Sequence, residues 1–225
     1  MNDKQLVAQR AAQYVKNGMV VGLGTGSTAN FFIEELARRR IEEDLQIQAV
    51  ASSVITAVKA RQLGLPLLAM EQLQHLDLYV DGADEVSPDM TLLKGRGADM
   101  VREKLLAKAG KTFLVLIDQS KRVERIGANF PIPIEVMPFA WQMVKRSIEA
   151  IGGQGDLRLN PGNDNLAITA YGSLVLDMTF PVSMDAAALN VELNAIPGIV
   201  EHGIFSGLTG AVFCAHQGRV DEQWR

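Results

Sequence analysis

The sequence predicts an α/β protein: an open, mostly parallel sheet with helices on both faces, Rossmann-like in layout, plus a smaller α+β lid domain. Two observations carry this. In the first half, short apolar runs without polar alternation are separated by stretches of helical spacing, as in strands buried on both faces by helices. From Phe130 onward prolines, a hairpin signal and further helices replace that pattern. With 225 residues, 48% of them apolar, the chain can close one sizeable core and a smaller second one. The expected division is 1–128 with 203–225 for the α/β domain and 129–202 for the α+β lid.

Asp3 is placed to cap a first helix carrying Val7, Ala11 and Tyr14, with Gly18 at its left-handed end. Met19 to Leu23 reads as the first strand, and a glycine turn leads to a helix with Phe31, Phe32 and Leu36. The alternation continues with a strand from Ile47 to Ala51 and a helix from Ser53 to Leu63 stopped by Gly64. A strand from Leu76 to Val80 follows, then a helix from Gly97 to Ala109 stopped by Gly110, and a strand from Thr112 to Ile117. In Phe130 to Ile134 the prolines indicate an edge strand or a crossing between domains. Beyond them come a helix from Pro138 to Ile151 and strand-like Leu166 to Thr169. A turn at Tyr171-Gly172, a strand from Leu174 to Met178 and a helix from Asp185 to Asn194 follow. The apolar pairs Ile204-Phe205 and Val212-Phe213 are expected to return to the first sheet.

Composition excludes several classes of function. A net charge of −4 with scattered Lys and Arg supplies no basic stripe for nucleic acid. One cysteine permits no internal disulfide, and three dispersed histidines lack zinc spacing. The N-terminal stretch has no continuous apolar run of the signal-peptide or membrane-spanning type, so a cytoplasmic protein is expected.

Three segments carry chemistry. Gly22-Leu23-Gly24-Thr25-Gly26-Ser27-Thr28 joins a strand to a helix start, where close backbone approach, N–H groups and hydroxyls suit a small phosphate. Ser27 stands where a dinucleotide fingerprint wants a small glycine-like residue, no acid ends the next strand, and no P-loop lysine is present. Asp81-Gly82-Ala83-Asp84-Glu85 follows a strand, at the sheet edge where ligands bind; its acids can accept from sugar hydroxyls, move protons, or, as hard oxygen donors, hold magnesium. Lys94-Gly95-Arg96-Gly97 opens a helix and offers a cation with backbone donors for an oxyanion, while Glu103 can serve as a base. On a helix starting at Gly97, Asp99 lies one turn before Glu103 and raises its pKa by like charge.

Taken together, Gly24 to Thr28, Ser52-Ser53, Asp81 to Glu85 and Lys94 to Lys104 resemble type A ribose-5-phosphate isomerase in order and spacing. The similarity continues through Asp118 to Lys121, Pro133 to Val136 and Asn194 to Gly198, covering nearly the whole chain. It implies a cofactor-free aldose-ketose isomerase acting through a cis-enediolate, with no metal, assembled as a homodimer or homotetramer. It further implies catalytic Glu103, Asp81, Asp84 and Lys94. Substrate and phosphate contacts are implied at Lys4, Thr25, Gly26, Ser27, Thr28, Gly82, Ala83, Gly95, Arg96, Gly97 and Lys121. Leu174, Val175, Leu176 and Phe180 are expected to contribute to the oligomer.

Arg96 replaces a family glycine, Asp99 a usually apolar residue, and Thr169-Ala170-Tyr171-Gly172-Ser173 a Thr-Asp-x-Gly-Asn turn. Phe205-Ser206-Gly207-Leu208 stands in place of a stretch bearing Asn and Arg. Two other readings compete: a non-catalytic sugar-phosphate-binding sensor, which needs only the phosphate turn, and a coenzyme A transferase relative, favoured by fold alone.

Overall fold

Capped by the Asn2 side chain, which accepts the Gln5 N–H, α1 runs over Asp3–Ala12 in a computed structural model that describes residues 2–225. Asn2 thus takes the role expected of Asp3, and the left-handed Gly18 (φ +84°) lies in the connection beyond the helix. β1 (Val20–Leu23), α2 (Ser27–Glu42), β2 (Gln48–Ala51) and α3 (Val54–Gln62) follow. Ser53 caps α3 by accepting the Thr56 N–H, and Gly64 (φ +75°) follows its end. β3 (Leu76–Gly82) is longer than expected and includes Asp81. Two short strands, β4 (Glu85–Val86) and β5 (Leu92–Leu93), precede α4 (Met100–Ala109) and β6 (Gly110–Asp118).

α4 does not start at Gly97. Residues 95 to 99 form a turn with two left-handed residues, Gly95 (φ +102°) and Ala98 (φ +62°), so Asp99 precedes the helix and shares no helical face with Glu103. Further on come β7 (Ile132–Val136), α5 (Trp141–Ala150, entered through a tight turn at Pro138–Ala140), β8 (Gln154–Leu157), β9 (Leu174–Thr179) and α6 (Ala186–Ala195, capped by Asp185). β10 (Ile199–His202), β11 (Ile204–Phe205), β12 (Ala211–His216) and β13 (Arg219–Trp224) complete the chain.

The chain divides into two compact units. One comprises residues up to Ala83, Arg102–Arg122 and Leu208–Arg225; the other comprises Asp84–Val101 and Val123–Gly207. The segment Asp84–Val101, within the stretch expected in the α/β domain, groups with the second unit.

The first unit holds a six-stranded sheet ordered β13-β12-β6-β3-β1-β2, parallel except for β13. Its core includes Val7, Val21, Phe32, Leu36, Val80, Leu114 and Phe213. β1 lies between β2 and β3, so the chain turns to opposite sides of β1 and creates a switch point at the carboxyl ends of β1 and β3. Ligands of open α/β sheets bind at such a point.

The second unit has an antiparallel sheet ordered β10-β7-β9-β8, with Ile134, Val144, Ile148, Leu176 and Leu193 in its core, and a three-stranded sheet ordered β11-β5-β4. β7 is therefore an inner strand despite Pro133. The Pro133 carbonyl accepts from Gly203, in the gap between β10 and β11, so its nitrogen faces the place where β10 has ended and needs no donor there. Ile204-Phe205 pairs with β5 rather than with the first sheet, and Leu166 to Thr169 contributes only isolated bridges. Val175 and Leu176 are buried within the unit, so neither side chain is open to a partner, while Leu174 and Phe180 are partly buried against its core.

Candidate active site

At the switch point the turn from β1 to α2 and the end of β3 are built around each other. A Cβ on Gly24 would stand 2.1 Å from an Asp81 carboxylate oxygen, so only glycine fits. Asp81, fully buried, accepts the Thr25 N–H (3.0 Å) and the Gly82 N–H (2.8 Å) on Oδ1 and the Tyr79 hydroxyl (2.5 Å) on Oδ2. These three donors offset the cost of burying its charge.

The Thr25 hydroxyl is turned into a polar cluster with Ser52 (2.8 Å), Ser53 (2.7 Å) and Thr56 (3.1 Å), and Thr56 in turn donates to the Gly24 carbonyl. Thr25 thus braces the turn, its hydroxyl engaged within the protein. Ser27 and Thr28 open α2 behind Gly26 (φ +112°), a helix start that no side chain caps. Lys4 reaches this helix start, donating to the Ser27 hydroxyl at 2.9 Å. Burial alone would raise the Asp118 carboxyl, but the Ser120 hydroxyl and N–H, with the charges of Lys121 and Lys4, hold it below the ordinary carboxylate range. Lys4 and Lys121 thus both act on Asp118, at the end of β6, and Lys4 also touches the α2 start.

Glu103, only 6% exposed, lies in the first turn of α4. Burial first, then the negative charges of Asp81 and Glu103, push the Tyr79 hydroxyl well above its usual pKa. Tyr79 is therefore a fixed donor to Asp81, held by stacking on Phe113 at 4.7 Å between centroids. Sequence reasoning missed Tyr79; its signal was a polar tip on an inner strand two residues before Asp81.

In the second unit, Asp84 accepts the Arg96 N–H in a long contact of 3.4 Å and donates its own N–H to Leu93. Lys94, 4% exposed, is anchored by its N–H to the Gly203 carbonyl (2.9 Å), and its ammonium lies 5.7 Å from the Phe205 ring centre. Gly95 admits no side chain, since a Cβ would meet Met100 at 2.4 Å. The Arg96 guanidinium stacks 4.3 Å over Phe130.

Glu85 departs from the magnesium alternative. Its fully buried carboxylate accepts the N–H groups of Gly127 (2.6 Å), Asn129 (2.6 Å) and Phe130 (3.0 Å), so it clamps a loop. Among the described residues no group of three or more His, Cys, Asp and Glu side chains is arranged to hold a metal ion. In the turn at 169–173, Thr169 donates to Glu135 (2.8 Å) and accepts the Tyr171 and Ser173 N–H groups, and Gly172 supplies φ +78°.

An uncapped helix start beside a buried, polar strand end, at the switch point of an open α/β sheet, is the class of site that takes a small phosphorylated ligand. Comparison with known proteins gives the class its particular member. Residues 48–219 match the family model of ribose 5-phosphate isomerase A (phosphoriboisomerase A). Ribose-5-phosphate isomerase A of Methanothermobacter thermautotrophicus is 43% identical over 94% of this chain and 93% of its own, and that of Thermosynechococcus vestitus is 42% identical over 93% and 89%. The structure of ribose 5-phosphate isomerase A from Methanocaldococcus jannaschii superposes with a TM-score of 0.94 at 37% identity, covering 99% of this chain and 98% of the other. A D-ribose-5-phosphate isomerase in complex with phospho-erythronic acid superposes at 0.95 with 34% identity, covering both chains fully (100% of each).

The chain belongs to the ribose 5-phosphate isomerase A family. It is an aldose-ketose isomerase that interconverts D-ribose 5-phosphate and D-ribulose 5-phosphate, a step of the non-oxidative pentose phosphate pathway.

Proposed function

We propose that Glu103 is the base that carries the proton in this isomerisation. The supporting observation is its burial in the first turn of α4, close enough to Tyr79 for its charge to raise that hydroxyl. In the open-chain aldose Glu103 takes the proton from C2, and the released electron pair moves toward the C1 carbonyl oxygen. A cis-enediolate forms; the C2 hydroxyl proton passes to O1, the electron pair returns from O2 to make the C2 carbonyl, and Glu103 delivers the carbon-bound proton to C1, giving the ketose. Lys94 and the N–H groups of the Gly95 to Gly97 turn stabilise the oxyanion, typically a large contribution in such catalysis. Asp81 and Asp84, with Gly82 and Ala83 between them, take the sugar hydroxyls.

The phosphate is assigned to the Gly26, Ser27 and Thr28 backbone and hydroxyls, to Lys4 and to Lys121. The uncapped start of α2 and the Lys4 contact support this. Arg96 is assigned through its backbone N–H, because its guanidinium is stacked on Phe130. The protein is assigned to the cytoplasm as a homodimer or homotetramer. No helix among the described residues is long and apolar enough to cross a membrane.

Glu103→Gln tests the central assignment. Turnover of ribose 5-phosphate should fall roughly a hundredfold to ten-thousandfold, the usual worth of general-base catalysis, while phospho-erythronic acid still binds within about threefold of the wild type. In heavy water the wild type should place deuterium on the carbon beside the carbonyl and the variant should place almost none. Near-normal turnover and exchange in Glu103→Gln would move the base to Asp81.

A further inference from the structure

We infer that Arg158 is a positioning residue for the isomerisation, holding the peptide planes of the Gly95 to Gly97 turn so that its N–H groups present one donor face. The inference rests on the proposed role of that turn in stabilising the oxyanion. Arg158 follows β8 and is fixed at both ends of its own backbone. Its N–H donates to Val175 (2.8 Å) and its carbonyl accepts from Ala167 (2.9 Å). Its guanidinium forms a two-pronged pair with Asp177 of the inner strand β9, Nε to Oδ2 at 2.8 Å and Nη2 to Oδ1 at 2.6 Å. With side-chain exposures of 16% and 26%, the pair is largely withdrawn from solvent.

That fork aims the remaining nitrogen. Nη1 donates to the Gly95 carbonyl at 3.1 Å and to the Arg96 carbonyl at 3.2 Å. In a trans peptide the C=O and the following N–H point in opposite directions. Drawing both carbonyls toward Arg158 therefore turns the Arg96 and Gly97 N–H groups to the other side, and the Arg96 N–H indeed faces Asp84 at 3.4 Å. A cation on the carbonyl side also polarises the two peptides and strengthens their N–H groups as donors, by roughly 10–30% per bond.

The turn gains from such a brace because Ala98 (φ +62°) is held in the left-handed region that a side chain disfavours, and the internal bond from the Ala98 N–H to the Gly95 carbonyl is 3.2 Å long. On another side the Arg96 guanidinium rests on Phe130, whose N–H is held by Glu85. Lysine at position 158 could reach one carbonyl as a point charge but could not pair with both Asp177 oxygens in the planar fork that sets the direction.

The test uses the full chain with Arg158→Lys, Arg158→Ala and Asp177→Asn, each measured for kcat, KM and thermal midpoint. Misplacing a catalytic donor by about 1 Å costs on the order of a hundredfold, so kcat should fall about tenfold to a hundredfold in Arg158→Lys, with KM within about threefold of the wild type. Millimolar guanidinium ion should restore part of the lost kcat to Arg158→Ala and nothing to Asp177→Asn. A kcat within about twofold of the wild type in both Arg158 variants, or a loss confined to KM, overturns the inference. Should Arg158→Ala fail to fold, the lysine and Asp177 variants decide. Lys94→Met separates the two layers. Unchanged kcat there defeats the oxyanion assignment itself, whereas a large loss there beside an intact Arg158→Lys defeats only the role of Arg158.

Discussion

Four acids among the described residues, Asp81, Glu85, Glu103 and Glu135, are buried, and their surroundings differ. Asp81 and Glu85 each accept three hydrogen bonds from the protein, which makes both brace their loops. Glu135 is less well supplied. Thr169 donates to Oε1, while the buried Oε2 accepts no hydrogen bond among the described residues. Burial therefore raises its pKa, the charges of Glu201 and Asp99 add to the rise, and Thr169 and Ser173 oppose it. A carboxyl whose folded pKa lies above its unfolded one favours the folded state while protonated, and that stability is lost as pH rises through the folded value. Relative to Glu135→Gln, the wild type should accordingly lose stability as pH climbs from the ordinary carboxylate range toward neutrality. Urea unfolding of both proteins at several pH values measures this; a stability difference independent of pH would show that Glu135 titrates normally. None of these four roles could be read from residue type. Asp81 and Glu103 stood out through their neighbours in sequence, but the loop clamped by Glu85 begins at Gly127, far along the chain.

The segment linking β1 to α2 was the most legible part of the site, because its chemistry is local: glycines that allow close approach and a helix start left open for an anion. What sequence could not show is which hydroxyls point outward. Thr25 turns inward to Ser52, Ser53 and Thr56, three residues brought together by β2 and α3. The start of α4 lies three residues beyond Gly97, the position its composition predicts. Its glycine-rich approach has helical composition on one side only, and the left-handed Gly95 and Ala98 delay helical geometry until Met100. From the uncapped start of α2 we expect Ser27→Ala to weaken the phosphate contact and to release Lys4. A hydrogen bond to a charged group is worth about 1.5–3 kcal/mol, so KM for ribose 5-phosphate should rise roughly tenfold to a hundredfold. Turnover of unphosphorylated ribose should stay within about twofold, because that sugar carries no group for the α2 start. Equal losses for both sugars would mean that Ser27 serves only the fold of the turn.

Alternating strands and helices identified the parallel sheet of the first unit almost completely, because each βαβ step is a local unit of sequence. The edge strand β13 and the partner of Ile204-Phe205 escaped that logic, since pairing between distant segments leaves no periodic trace. The path of the chain through the two units was equally hidden. Asp84–Val101 groups with residues beyond Val123, and no change of composition marks either crossing. The same limit governs the assembly surface. Of Leu174, Val175, Leu176 and Phe180, expected at an interface as an apolar run, Val175 and Leu176 are buried on the inner strand β9, while Leu174 and Phe180 remain partly exposed. The second unit instead exposes Phe139 (80%) and Met143 (63%), one turn apart at the start of α5, while Val144 and Ile148 of the same helix face inward. Exposed large apolar side chains at helical spacing favour a partner surface over solvent, and closed symmetric dimers are the commonest way for one chain to cover such a face. Sedimentation at assay concentration should therefore show a dimer or tetramer. Burying a phenylalanine contributes about 1.5–3 kcal/mol, so Phe139→Asp should weaken association by roughly tenfold to a hundredfold or more, without lowering the thermal midpoint of the isolated chain. A wild-type monomer would remove the assembly, and an oligomer indifferent to Phe139→Asp would place its interface on another face.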